Sequence, residues 1–428
     1  MSVGDGVLGT RRFVESVDRL ALAAILALLA ISLVTLYSVT HAPVEGDWNR
    51  TLLVGPGIFY RQFVWIALGL GALYLGFWTP YRLLEASAWL QYGLSFIMLG
   101  VVLFIGRGTD VERWIHIGPI QFQPSEFAKV ALIFVLARYM STRTGDGNRL
   151  SSLLVPGLIV LPPVVLILKQ PDLGTALVFF AILIPMLFWR GLRLGHILLL
   201  GSPGIGFLMH LYLRTEQHMW WPWLVFVLVV FGMMLWQRAY LWENVSIFVA
   251  NLGIHFLEPW LWSHLRPYQQ QRILSFFNPE LDHLGQGYHV AQSKIAVGAG
   301  GFLGQGFLEG TQKELAFLPA RHTDFIFSVI GEEFGMVGGV VILCLFALIV
   351  LRGIAFAARA RNGFVRYAAF GIAAYLMFHV TQNVGMTVGL IPVAGIPLPL
   401  VSYGGSSMLV TLFLLGVLLN LGSRWREY

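Results

Sequence analysis

Apolar runs of about twenty residues recur along the whole chain, separated by short stretches that hold most of the charged residues. A run of that length crosses the hydrocarbon core of a bilayer as an α-helix, at 1.5 Å per residue. Twelve such spans are expected, near residues 18–39, 60–78, 84–105, 124–141, 151–168, 173–190, 195–213, 220–237, 243–262, 324–351, 366–388 and 400–421. The ninth is the least regular, since Asn251, His255 and Glu258 interrupt it. The predicted fold class is an all-α polytopic membrane protein with about 12 transmembrane helices in a single integral membrane domain.

Charge sets the expected sidedness. The short stretches after the even-numbered spans hold Arg82, then Arg138, Arg143 and Arg149, then Arg190 and Arg193, then Arg238, then Arg352, Arg359, Arg361 and Arg366. The short outer stretches hold far fewer. The positive-inside rule then puts both termini in the cytoplasm. The net charge of +6 is dispersed over these loops in a chain that is 57% hydrophobic and 12% charged, so it reads as a topology signal and no nucleic-acid partner is expected. Arg11, Arg12 and Arg19 precede a first apolar run too long for a signal-peptide core, which is expected to be a retained helix. The single cysteine, Cys344, forbids an intramolecular disulfide.

One outer segment, 263–322, is long and rich in glycine and polar residues. Loops of that kind are usually functional or disordered. Its scattered Ile, Val, Leu and Phe predict that it packs, with a short interfacial helix around "HVAQSKIAVG".

The chemistry-bearing residues gather at the ends of the spans. Asp324 closes the long segment and opens the tenth span; it is a candidate helix cap or a candidate catalytic carboxylate. Glu332 and Glu333 lie two turns deeper, where a charge needs a partner. Glu126 and Lys129, three residues apart, share one face of the fourth span behind Pro124, as a packing ion pair or a pair that also meets an anionic lipid headgroup. Asp172, after Lys169, is expected to cap the sixth span. His379 and Gln382 are expected to be satisfied polar groups in the core. No metal-ligand spacing, Walker sequence, dinucleotide fingerprint or Ser/His/Asp triad stands out. Arg113, Glu126, Lys129, Lys169, Asp172, Lys313, Arg321 and Asp324 form an outward-facing mixed-charge cluster suited to a substrate with a lipid tail, an anionic linker and a polar head.

From Trp114 onward, "FQPSEFAK", "QPDLGT", "GYHVAQSKIAVGAGG", "GTQ", "LPARHTDFIF", "GEEFG" and "GIPLPLVSYGGSS" stand in a fixed order. On these runs the chain resembles the SEDS family (shape, elongation, division and sporulation). "GYH" at 287–289, "GTQ" at 310–312 and "GIPLPL" at 395–400 resemble its elongation branch. The resemblance implies a peptidoglycan glycosyltransferase that polymerises lipid II at the outer face of the cytoplasmic (inner) membrane during cell elongation and rod-shape maintenance. It implies a class B penicillin-binding protein and other elongation-machinery proteins as partners. It places the residue required for polymerisation at Asp324 and two further important ones at Glu126 and Lys129. Arg113, Lys313, Arg321, His322 and Ser402 complete the candidate substrate-binding set.

Such a transfer inverts the anomeric centre, so one general base serves the acceptor hydroxyl, and cations steady the departing diphosphate. Lys129, Arg113, Arg321 or a divalent cation (Mg or Mn) can supply that charge; no organic cofactor is expected. Against the family pattern, Ala320 stands where Glu is usual, Asn278 and His283 replace aspartate and proline, and residues 195–238 form an extra helical pair beyond a core of ten. A lipid II flippase, a non-catalytic scaffold and a division-branch polymerase are the rival readings.

The charge pattern generates a topology prediction. In a Cys344→Ala background, Gln217→Cys is labelled by an impermeant thiol reagent from outside the cell and Gly147→Cys is not. Labelling of position 147 from outside contradicts cytoplasmic termini.

Overall fold

A computed structural model describes residues 18–41, 57–105, 113–117, 120–143, 150–216, 221–236, 241–277, 286–310 and 322–423. These form fourteen α-helices, one 3-10 turn and one two-stranded hairpin. The helices that match the expected spans are α1 (Arg19–His41), α2 (Gly57–Trp78), α3 (Tyr81–Ile105), α4 (Pro124–Thr142), α5 (Leu154–Lys169), α6 (Leu173–Trp189), α7 (Leu194–Glu216), α8 (Trp221–Trp236) and α9 (Leu241–His264). The long segment contributes α10 (Pro267–Phe277) and the expected interfacial piece as α11 (Gln286–Gly300). The chain then continues through α12 (Ile326–Arg359), α13 (Gly363–Thr387) and α14 (Gly405–Ser423).

Each of the twelve apolar runs coincides with a helix, eleven to within about five residues and the tenth with a helix that runs on to Arg359. Six of them, α1, α2, α3, α12, α13 and α14, are long and apolar enough to cross a membrane. α5 and α6 are shorter and contain Pro162, Pro163 and Pro185, and α4 carries Glu126, Lys129 and Arg138. The protein is a multi-pass membrane protein. The hairpin, β1 (Ile115–Ile117) and β2 (Ile120–Phe122), pairs Ile115 with Phe122 and delivers the chain to Pro124. Strands of three residues are too short for an alternating pattern to register in sequence.

The chain divides into two compact units, one of residues 1–144, 158–186 and 288–428, the other of 145–157 and 187–287. In the second, α7 packs on α8 and α9 around Leu199, Val230, Met234 and Ile247. Asn251 Nδ2 donates to Ser202 Oγ at 2.8 Å across α7 and α9, a polar tie of the kind that holds membrane helices together. The expected extra pair corresponds to α7 and α8.

In the first unit, α4 and α13 are buried along most of their length and pack on each other. α14 lies against α2 at backbone contact distance. A Cβ built on Gly416 would stand 2.0 Å from the Leu73 carbonyl oxygen. α12 is broken at Gly335, whose φ of 64° and ψ of −161° are accessible essentially to glycine alone. A break leaves backbone groups unpaired, which is costly within a membrane protein. The turn after α11 supplies the partners: Met336 N–H donates to Gly301 O at 2.9 Å and Val337 N–H to Phe302 O at 3.2 Å. In return Gln305 N–H and Gly306 N–H donate to the carbonyls of Glu332 and Glu333, at 2.9 and 3.2 Å. The "GEEFG" run is thus a helix break closed by the long segment. The Ser38 hydroxyl on α1 donates to the Glu333 carboxylate.

The α2–α14 contact generates a prediction. Gly416→Val forces the two backbones apart and lowers stability by at least the roughly 1–3 kcal/mol typical of overpacking. The measurement is thermal unfolding of the purified protein in detergent; an unchanged midpoint contradicts the close approach.

Candidate active site

The residues before α12 are fixed by their backbone. Tyr403 N–H donates to His322 O at 2.9 Å, and Ser402 Oγ donates to Thr323 O at 2.6 Å. Asn383 Nδ2 donates to Asp324 O and to Ile396 O, both at 2.9 Å. Three successive carbonyls are therefore held, two by the loop that follows α13 and one by α13 itself. Phe325 occupies the cap position of α12, and no side-chain cap bond is made there. Asp324 stands one residue before that cap position.

Asp324 instead lines a cavity of about 740 Å³. Arg113, Glu126, Lys129, Asp172 and His322 line the same cavity. So do Arg61, Val64, Trp65 and Leu68 of α2 and His379 of α13. Beyond Arg61 the wall on α2 is apolar, and its Val64 and Leu68 are half-exposed on the helix surface, where lipid lies in a membrane.

Four helices begin at this cavity. Gln123 and Glu126 belong to the first turn of α4, Asp172 and Thr175 to that of α6, and Asp324 to the turn entering α12. Gly404, Gly405 and Ser407 belong to the start of α14. Each N-terminus carries a partial positive charge, so their convergence favours anions.

Within the cavity, Lys129 Nζ donates to Glu126 Oε1 at 2.8 Å, with both side chains almost fully buried. The same ammonium stands 5.5 Å from the centroid of the Tyr375 ring on α13. Arg113 is committed to the α5–α6 turn: Nε donates to Gln170 O at 3.1 Å, Nη2 to Pro171 O, and Nη1 pairs with Asp172 at 3.7 Å. Asp172 Oδ1 accepts from Thr175 N–H at 3.0 Å, the expected cap of α6.

The structure thus brings Arg113, Glu126, Lys129, His322 and Asp324 together. Ser402 differs from expectation. It is buried, is not among the cavity-lining residues, and its hydroxyl accepts from Leu398 N–H while donating to Thr323 O. It supports the Asp324 segment. Lys313 and Arg321 lie outside the described residues. Gln382 is satisfied, its Nε2 donating to Pro392 O at 3.0 Å. His379 differs: it is fully buried, lines the cavity, and neither ring nitrogen makes a hydrogen bond of good geometry. Arg61 and His379 were not among the candidate site residues. Arg61 reads as one of many helix-end arginines, and only the packing of α2 against α14 brings it to the cavity.

Among the described residues, no three His, Cys, Asp or Glu side chains gather as a metal cage. Glu126 is paired with Lys129 and Asp172 with Arg113.

Comparison with known proteins places this cavity in context. A family model of cell cycle proteins, that of FtsW, RodA and SpoVE, matches residues 18–221 and 222–427. The chain is 33% identical over 406 residues to the peptidoglycan glycosyltransferase MrdB of Escherichia coli K12, covering 94% of this chain and 93% of that one. It is 35% identical over 410 residues to the probable peptidoglycan glycosyltransferase FtsW of Trichlorobacter lovleyi, covering 95% and 93%. A chain in a solved structure described as "Structural coordination of polymerization and crosslinking by a peptidoglycan synthase complex" superposes with a TM-score of 0.66 at 31% identity, covering 96% and 99%.

The buried ion pair generates a prediction. Removing one partner strands the other charge, so Lys129→Ala costs roughly 3–5 kcal/mol of stability. Lys129→Ala combined with Glu126→Ala removes both charges and recovers much of that loss. Unfolding midpoints of the two variants check it; a double variant less stable than the single one contradicts the pairing.

Proposed function

The chain belongs to the FtsW/RodA/SpoVE family of cell cycle proteins, and from that premise we propose that it is a peptidoglycan glycosyltransferase. It polymerises lipid II into glycan strands, with Asp324 as general base. The observation that carries the reading is the placement of Asp324, its backbone fixed, in one cavity with cations and an apolar, lipid-side wall.

The chemistry follows from that arrangement. An acceptor sugar hydroxyl within reach of the Asp324 carboxylate gives up its proton there as its oxygen attacks the anomeric carbon of the donor. The bond from that carbon to the lipid diphosphate breaks, and the electron pair leaves with the diphosphate. Attack opposite to departure inverts the centre. A retaining glycosidase needs a second carboxyl group as nucleophile; this displacement does not. Arg61 and the four helix N-termini favour the diphosphate as it departs. A Mg or Mn ion would arrive with the diphosphate and count with the substrate.

Active-site access from the side opposite the cytoplasm, in the inner membrane, suits both the expected cytoplasmic termini and a lipid-linked donor. A class B penicillin-binding protein is the proposed partner, supported by the similarity to a chain of a peptidoglycan synthase complex. The elongation-branch runs "GYH", "GTQ" and "GIPLPL" favour side-wall synthesis. The identity to an FtsW makes septal synthesis the second reading, and localisation of a fluorescent fusion separates them.

Asp324→Asn tests the base. Asn is nearly isosteric, and the backbone ties at 322–324 do not use the carboxylate, so the variant inserts and melts as the wild type does. Lipid II polymerisation by purified protein falls by roughly 10²–10⁴-fold. Asp324→Glu, displaced by about 1 Å, loses about 10²-fold. Near-normal glycan synthesis by Asp324→Asn ends the assignment. Absence of synthesis by the wild-type protein with its partner, alongside intact lipid translocation, favours a flippase.

A further inference from the structure

We propose that His379, with Glu126 and Lys129, forms a subsite at the deep end of the cavity that recognises a neutral hydroxyl or acetamido group of the sugar substrate. The proposal rests on the glycosyltransferase reading and adds to it a specificity-determining contact.

α13 presents Tyr375, His379 and Asn383 at four-residue spacing, on one face of the helix. Asn383 holds the Asp324 carbonyl. One turn along, about 6 Å at the helical rise, comes His379. A turn further, Tyr375 lies against the His379 ring, tilted by 53° with centroids 4.4 Å apart, faces the Lys129 ammonium, and shares a 3.1 Å hydrogen bond with Thr411. His379 therefore stands between the carboxylate segment and the ion pair.

Two buried polar groups there lack a hydrogen bond of good geometry. One is the His379 ring, with the Pro397 backbone and Lys129 as its polar neighbours. The other is Glu126 Oε2. Buried polar groups of that kind are uncommon unless water or a ligand completes them. Both residues line the cavity, so a bound molecule can reach them.

The charge balance selects the ligand class. Lys129 is matched by Glu126 Oε1 at 2.8 Å, so the pair leaves no surplus cation for a diphosphate. A diphosphate offers acceptors alone and would face Glu126 Oε2, another acceptor. What remains is a set of both kinds. Glu126 Oε2 accepts, the ammonium has N–H groups beyond the one given to Oε1, and an imidazole does either according to its tautomer. A group that both donates and accepts completes the set. Hydroxyl and secondary amide groups of an N-acetylated sugar have that property. The diphosphate then belongs nearer Arg61 and the helix N-termini.

The experiment uses the full-length protein with lipid-linked disaccharide diphosphates carrying either both acetamido groups or one replaced by hydrogen. The wild type discriminates against one of the truncated substrates. His379→Leu lowers kcat/KM for the complete substrate roughly 10- to 100-fold, the effect of one or two lost hydrogen bonds, chiefly through KM. It also loses the discrimination. His379→Gln, which keeps a donor and an acceptor, recovers most of both. Equal discrimination by His379→Leu and wild type, or kcat/KM within twofold, overturns the proposal. So does an equal loss in the Leu and Gln variants that tracks their melting temperatures. If His379→Leu does not fold, His379→Met takes its place under the same criteria. If the wild type makes no glycan, the glycosyltransferase reading fails; thermal stabilisation by the same substrates then tests the subsite by itself.

Discussion

Three successive carbonyl groups govern this molecule. His322, Thr323 and Asp324 are each bonded through their backbone oxygen to Tyr403, Ser402 and Asn383. A segment entering a helix from a long loop would otherwise be free to adopt many conformations, and an active carboxylate misplaced by an ångström loses most of its effect. The ties leave the Asp324 side chain uninvolved while removing the freedom of its backbone. They also explain why the loop between α13 and α14 is rich in glycine and proline. Ser402 must reach Thr323 and Leu398 together, and Asn383 must reach Ile396 as well as Asp324.

The same logic recurs at the break in α12. A helix that ended at Gly335 with its amides unpaired would be costly at that depth. The turn after α11 fills the gap with four backbone hydrogen bonds, so the long segment is bound to the membrane-embedded helix by its main chain. The segment is thereby coupled in position to Glu332 and Glu333, which lie on the same helix as the turn entering at Asp324.

Much of this was legible in the sequence, for identifiable reasons. The spans follow from hydropathy, a property of each residue by itself, and all twelve coincide with helices. Pro124 at the start of α4 and Asp172 capping α6 follow from local backbone chemistry. Glu126, Lys129 and Asp324 stood out because charge in an apolar context is rare. What was hidden depends on residues far apart in the chain. Ser402 reads as part of a small-residue run, yet its role is set by Thr323, 79 positions away. His379 resembles an ordinary core histidine until α4 and α13 are packed together. The break at Gly335 sits inside a single long span, and nothing in the span itself announces that a distant turn will complete it.

The cavity also answers how three carboxylates persist beside one another at the edge of a membrane. Ionised groups there need compensation, and each has a different source. Glu126 has Lys129, and Asp172 has Arg113 and the Thr175 amide. Asp324 stands at the turn entering α12 and shares the cavity with the starts of α4, α6 and α14. Helix N-termini stabilise negative charge. Glu126 and Asp172 thus have partnered charges, and Asp324 stands among helix starts that favour an anion. That convergence follows from helix direction. The four helices that start at the cavity are even-numbered among the twelve spans, so the alternation of the chain across the membrane itself brings their positive ends to one side.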